Sequence, residues 1–458
     1  MKFRTRYLAP LAGAAALTVA LTGCSSASPK AAPSSDGKVT ITVSIDTGLT
    51  AAATKQIDQQ VASFEKANPN ITVKTQPYDW VATTFTAQLA GGTLPDVFTV
   101  PFTDGTSLIN QGQVADISQQ ISQLPYAKKF NPSVIVNAKS SSGKIEGLPV
   151  GAYGQALYYN RQLFTQAGLD PDNPPTSWAE VASDAKTIAE KTGKAGFSTM
   201  TQENTGGWSL VTMAYAFGGR AENVKDGKAT ATVDTKAFKK ALQELHDMRW
   251  GDNSMGGDFL YNWNTINQDF AAGKVGMYIS GGGNYTSLVQ QNAIDPKAVG
   301  ETVIPLEGKN SGALGGGTIA FVRAKASKAV EDAAVKWIDY YYMQPQYDKT
   351  AAVNAAKLAI AAKQPVGVPE VPVFDQKTYQ DTLTWTKSYV NVPLDQFAPY
   401  TKSEFTQQII AEPESQTQAL YGKLDPVVQA VLTNKNADIP TLLSQANTQI
   451  QSLLDSGN

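Results

Sequence analysis

Short runs of β-branched residues alternate with helical patterns through most of this chain, which restricts it to a sheet covered by helices. Val39-Thr-Ile-Thr-Val-Ser-Ile45 has the two-residue period of a strand. Ile57, Val61 and Phe64 then recur three and four residues apart, the spacing of one helix face over 51–67. Asn68-Pro69-Asn70 ends that helix. A second strand is expected over 71–75, a second helix over 83–90 closed by Gly91-Gly92, and a third strand over 96–100. Further strands are expected at 155–160, 196–200, 275–279, 303–306 and 318–322. Helices are expected at 178–191, 235–249, 266–272 and 329–343, and from Leu394 to the C-terminus. Such alternation belongs to the α/β class, a mostly parallel sheet with helices on both faces.

The N-terminus has the parts of an export signal: Lys2, Arg4 and Arg6, then an apolar run from Leu8 to Leu21. That run is shorter than the ~20 residues of a membrane-spanning helix. It ends at Leu21-Thr22-Gly23-Cys24, which resembles the bacterial lipobox, whose cysteine becomes the lipidated N-terminus. Residues 1–23 are therefore expected to be a lipoprotein signal peptide, with Cys24 lipidated and 24–37 a flexible Ser/Ala/Pro tether. An ordinary secretory signal with Cys24 as a chance thiol is the alternative. Cys24 is the only cysteine, so its lipidation leaves no disulfide or thiolate metal site.

At 458 residues the chain has room for two domains of ~100–200 residues each. Its formal charge of −2 lacks the basic footprint of a nucleic-acid binder. His246 is the only histidine and falls inside a helical pattern over 238–249, so common catalytic triads and most zinc sites cannot be assembled. Gly281-Gly282-Gly283 has no Gly-Lys-Ser/Thr after it, unlike a nucleotide loop. No cofactor and no metal are expected.

Several ordered segments resemble the family 1 extracellular solute-binding proteins, the maltose-binding-protein-like group. They are Phe64-Glu-Lys-Ala-Asn-Pro-Asn-Ile-Thr-Val73, Gly92-Thr-Leu-Pro-Asp-Val97, Gly147-Leu-Pro149, Ala156-Leu-Tyr-Tyr-Asn160, Ala167-Gly-Leu169, Pro175-Thr-Ser-Trp178 and Phe270-Ala-Ala-Gly-Lys-Val-Gly-Met277. The resemblance implies a type II periplasmic-binding-protein-like fold, with two α/β lobes joined by three hinge crossings near 151–154, Val303 and 344–350. The N-lobe would be 38–153 with 303–345, and the C-lobe 154–302 with 346–458. It also implies a sugar ligand, an oligosaccharide held in the cleft, separate ABC importer permease subunits, a monomer, and a lipid-anchored place outside the cytoplasmic membrane.

A sugar needs aromatic faces for its C–H surfaces and amides or carboxylates for its hydroxyls. Tyr153 lies at the first crossing, where maltose-binding proteins carry an acid; ligand contact or hinge packing fits it. Trp208, after Gly206-Gly207, fits a cleft edge or the core. Phe102 and Asp104 follow the third strand, and Asp104 can accept hydroxyls or cap a helix starting near Thr106. Asp46 follows the first strand with the same two readings, and Trp80 is a ligand or core residue. Gly282 and Asn284 follow the strand at 275–279, where bare backbone can approach a ligand. Gly316 has a similar place, or forms a tight turn. Trp263 and Asn264 sit in the densest aromatic–amide cluster, either a cleft wall or a helix cap near Thr265. The rival functions are a binder of peptides or polyamines, and a secreted carbohydrate-active enzyme, which needs two facing carboxylates.

Overall fold

The computed structural model describes residues 37–456 except 226–227, 404–407 and 414. The expected signal peptide, Cys24 and the tether up to residue 36 lie outside the described residues. The strands are β1 (Val39–Ile45), β2 (Ile71–Pro77), β3 (Val97–Pro101), β4 (Leu148–Asn160), β5 (Ala195–Phe197), β6 (Glu222–Lys225), β7 (Lys228–Ala231), β8 (Val275–Gly281), β9 (Val299–Val303), β10 (Ala313–Val322) and β11 (Ile409–Ala411). One sheet runs β2-β1-β3-β10-β4-β8-β5, with β9 beside β4 and β11 beside β10, while β6 and β7 form a separate hairpin. Its flanks are parallel: β1 with β2 and β3, β5 with β8, and β11 with β10. The long strands β4 and β10 are antiparallel to each other, and β3, β8 and β9 join them antiparallel.

Burial sorts the chain around two bodies. Ile41, Val43, Phe64, Phe98, Leu148, Phe321 and Trp337 share one core. Leu157, Tyr159, Trp178, Phe197, Leu210, Leu314 and Val428 share another. Successive residues of a strand face opposite sides, so Ala156 and Tyr158 of β4 instead pack with Phe270, Tyr278 and Tyr400 on the second body's other face. Both β4 and β10 supply side chains to both bodies: Leu148 and Leu157 from β4, Leu314 and Ile319 from β10.

Between the bodies the β4–β10 ladder is made of small residues. Gly315 pairs with Gly154, Gly316 with Tyr153, Gly317 with Ala152 and Thr318 with Gly151, and the register then slips between Thr318 and Ile319. A bulge at that point increases the local twist. Ile409, Tyr153 and Phe102 fill the space beside Gly315, Gly316 and Gly317.

Local chemistry explains the helices. Trp178–Thr192 begins at a capping box in which Ser177 accepts from Glu180 N, and it stops at Gly193 with φ 68. It buries Trp178, Val181, Ala185 and Ile188, the three-and-four spacing read in the sequence. Gly196 of β5 lies directly against the backbone of Ala185, where a Cβ has no room.

Several expectations are corrected. The strand expected at 303–306 is instead β9, ending at Val303, because Pro305 has no N–H for a ladder; its carbonyl accepts from Trp178 Nε1 at 3.1 Å. The region after Leu394 is not helical throughout, since β11 pairs with 313–315 where Gly312 and Gly315 leave room for Ile410 and Ile409. Gly315-Gly316-Gly317 is mid-strand rather than a turn, and Tyr153 lies within β4 rather than before it. The helix expected from Thr106 already starts at Phe102, so Asp104 sits in its first turn and does not cap it. Asn262, by contrast, caps the helix Trp263–Ala271 by accepting from Thr265 N. The strand expected over 196–200 shortens to Ala195–Phe197. The helix expected over 329–343 changes to a π-turn at Asp339–Met343. Among the described residues no helix is long and apolar enough to cross a membrane.

Gly196→Ala is expected to lower stability by about 1–3 kcal/mol, the usual range for overpacking a tight site. Gly257→Ala, where nothing lies within 4 Å of the added carbon, should stay close to the parent. Urea denaturation of the two variants side by side checks both.

Candidate ligand-binding cleft

A cleft of about 1300 Å³ opens where β4 and β10 pass between the two bodies. The first body supplies Phe102, Thr103 and Asp104 from the helix Phe102–Asn110, and the second supplies Glu412 and Gln418. Tyr153 and Gly316 line it from the shared ladder. The Tyr153 ring occupies space left by two glycines: a Cβ on Gly316 would lie 2.6 Å from its hydroxyl, and one on Gly281 2.8 Å from a ring carbon. Tyr153 meets Trp208 edge to face, with centroids 6.4 Å apart and planes at 88°. Across the cleft, Gln418 Nε2 donates to Thr103 Oγ1 at 2.8 Å.

The cleft holds two carboxyl groups of raised pKa. Burial pushes Asp104 to about 6, against a lowering contribution from the nearby Trp80 indole. Asp104 Oδ2 and Trp80 Nε1 are both buried without a full hydrogen bond. Burial pushes Glu412 to about 8; Tyr421 and Trp208 oppose that shift and Asp104 adds to it. Tyr421 OH donates to Glu412 Oε1 at 3.1 Å. Lys139 is the sole lysine or arginine among the described residues lining the cleft.

A second cavity of about 500 Å³ lies beside the first body, lined by Asp46, Tyr341, Tyr342, Gln290 and Glu370. Desolvation and Asp79 raise the carboxyl of Asp46, and Gln291 Nε2 donates to its Oδ2 at 3.4 Å. Glu370 on its rim is exposed. Val371 lines both cavities, and its N–H donates to Ala152 O at 3.1 Å, so the segment around it divides them.

The large cleft therefore gathers Phe102, Asp104, Tyr153 and Gly316, with Trp80 and Trp208 standing behind Asp104 and Tyr153. Asp46 faces the smaller cavity. Four other candidates line neither cavity. Trp263 and Asn264 lie in the first turn of their helix, where Trp263 packs toward Phe270 and Tyr278. Gly282 donates to Gly154 O at 2.9 Å and lies against the Tyr400 hydroxyl, so its missing side chain makes room for the protein itself. Asn284 is buried, donating to Tyr278 OH at 2.7 Å and Asn267 Oδ1 at 3.0 Å. Glu412 and Glu370 were not singled out in the sequence. The available signal was the apolar Ile409-Ile410-Ala411 run before Glu412, a strand followed by an acid.

Two α/β bodies that share strands across a cleft define a two-lobed periplasmic-binding-protein fold. The model of the bacterial extracellular solute-binding proteins matches residues 59–365, more than half of the chain, and the chain belongs to that family. The sn-glycerol-3-phosphate-binding periplasmic protein UgpB of Yersinia pestis is 30% identical over 122 residues, 27% of each chain. The chain thus spans about a quarter of that curated relative. A solute-binding protein of Thermotoga lettingae, solved with α-D-tagatose, superposes at a TM-score of 0.72 and 18% identity, over 91% of this chain and 99% of the other. The GacH receptor of Streptomyces glaucescens, solved unliganded and with acarbose, gives 0.69 and 19%, over 92% and 99%. At these identities the likeness is one of fold.

The raised carboxyl of Glu412 sets a pH dependence. Native Glu412 holds its proton above the ordinary glutamate value of about 4.3, where the unfolded chain has released it. Stability contributed in this way is present below the unfolded value and is lost as pH rises through about 8. The melting temperature of the unliganded protein is expected to fall between pH 5 and 8. Glu412→Gln should flatten that slope in a pH series of thermal melts.

Proposed function

We propose that this chain is a lipid-anchored extracellular binding protein that captures a sugar in the large cleft and delivers it to a separate ABC importer. The observation that carries the reading is Tyr153, seated on Gly316 and Gly281 and braced by Trp208, beside Asp104 and Glu412. An aromatic face takes the C–H surface of a sugar ring, and the carboxyls take its hydroxyls. Membership of the solute-binding family supports a binder without covalent chemistry. Tagatose and acarbose in the two fold relatives support a sugar. A phosphate ester like that named for the Yersinia relative fits less well, because Lys139 alone opposes the two acids.

Phe102, Asp104, Tyr153 and Gly316 are the proposed contacts, with Trp80 and Trp208 orienting them. Lobe boundaries are proposed on burial. Ile304 and Leu314 belong to the second core and Ile319 to the first, so the passage expected near Val303 is placed at 315–318. Val373 and Phe374, expected in the C-lobe, are assigned to the first. Lipid on Cys24 would hold the protein at the membrane as a monomer, within reach of the permease.

The chain from Lys38 onward, screened by thermal shift against mono- and oligosaccharides, tests the reading. One sugar class is expected to raise the melting temperature with micromolar affinity, about −8 kcal/mol, and to be recovered uncleaved. Trp208→Ala is expected to weaken that binding at least tenfold. Cleavage of the sugar, or no shift with any saccharide, would falsify it.

A further inference from the structure

We infer that the solute carries a protonated amine, held by Asp104 and Glu412 against the ring of Tyr153; this rests on the cleft being the solute site. Asp104 and Glu412 come from opposite bodies yet lie close enough for the charge of Asp104 to act on Glu412. Asp104 Oδ2 is buried without a full hydrogen bond, the Trp80 indole being its neighbour. A sugar hydroxyl can donate to one such oxygen, but it brings no charge to offset two acids in one cleft. A single cation between them stabilises the ionised form of both. Tyr153 adds the electron-rich ring that a desolvated ammonium favours. Lys139 is the one lining cation that opposes this.

The free cleft stores protons that such a ligand would displace. Glu412 is faced by Tyr421 from the helix Thr417–Thr433, by Trp208 and Tyr215 from the helix Thr205–Ala216, by Tyr153 from β4 and by Asp104 across the cleft. None of these is a cation. An arriving ammonium favours the ionised carboxylate, so binding near pH 6, where a 2-amino sugar is still protonated, should release a proton from Glu412.

Isothermal titration of the chain from Lys38 onward tests this, using a glucosamine disaccharide, its N-acetylated neutral counterpart and spermidine. The amine sugar is expected to bind at least tenfold more tightly than the acetylated one. It should also release about one proton at pH 6, read from titrations in buffers of different ionisation enthalpy. Glu412→Gln should remove most of that preference and of the proton release. Asp104→Asn carries the same comparison if Glu412→Gln lacks a native melting transition. Equal or tighter binding of the acetylated sugar, or an amine preference that survives both substitutions, overturns the inference and leaves the sugar reading standing. Binding of spermidine with neither sugar upholds the cationic site and overturns the sugar. Binding of none of the three overturns the inference, and the saccharide screen then decides the sugar reading separately.

Discussion

The antiparallel ladder between β4 and β10 is the contact on which the rest of the molecule depends. Each strand enters one hydrophobic core at one end and the other core at the other end. The sheet is therefore continuous while the buried apolar surface is not. Hydrophobic burial stabilises each body separately, and the bodies are joined by the backbone hydrogen bonds of that ladder and by polar side chains such as Gln418 and Gln291. Side chains at 315–317 would collide with Ile409, Tyr153 and Phe102. The glycines there leave the floor on which Tyr153 lies.

That arrangement accounts for the buried acids. In a core, a carboxyl without a partner is expensive and is replaced by apolar residues or paired. Here Asp104 and Glu412 sit on the walls of a space that protein does not fill, and both hold their protons to higher pH than a free carboxyl. Asp425, which shows a similar rise, has a different setting. It accepts from Asn204 N at 2.7 Å and Gly207 N at 2.8 Å, fastening the helix Thr205–Ala216 that presents Trp208. Its hydrogen bonds are met within the protein, whereas Asp104 Oδ2 lacks a full one. That difference separates Asp425, a scaffold acid, from the acid proposed to face the solute.

Much of the fold was legible because its signals are local. The spacing of Ile57 and Phe64, and the alternation in 39–45, are short-range patterns that burial then confirms. Part of the cleft was legible too, since Phe102, Asp104 and Tyr153 follow or occupy strands that end at the joint. What failed depended on side-chain partners outside the local pattern. Asn284 looked ligand-facing after a glycine run, but Tyr278 and Asn267 bind it inward. Gly282 looked exposed until Tyr400, more than a hundred residues later, packed over it. Glu412 follows a strand of three residues that exists only because β10 offers a bare edge. No local period marks such a strand.

The bonds that cross between the bodies show how the cleft can work. Gln418 reaches Thr103 on one side, while Thr50 N donates to Gln290 O at 2.9 Å and Gln291 reaches Asp46 on the other. These are polar contacts near solvent, each worth about 1 kcal/mol net because water replaces it readily. Bonds of this kind constrain the bodies less than a buried apolar interface would. In the proposed binding mode, a solute that touches both Asp104 and Glu412 adds attraction between the same two walls. A closed form of the cleft would gain from differential contact, because it offers the solute both carboxyls where an opened one offers a single wall.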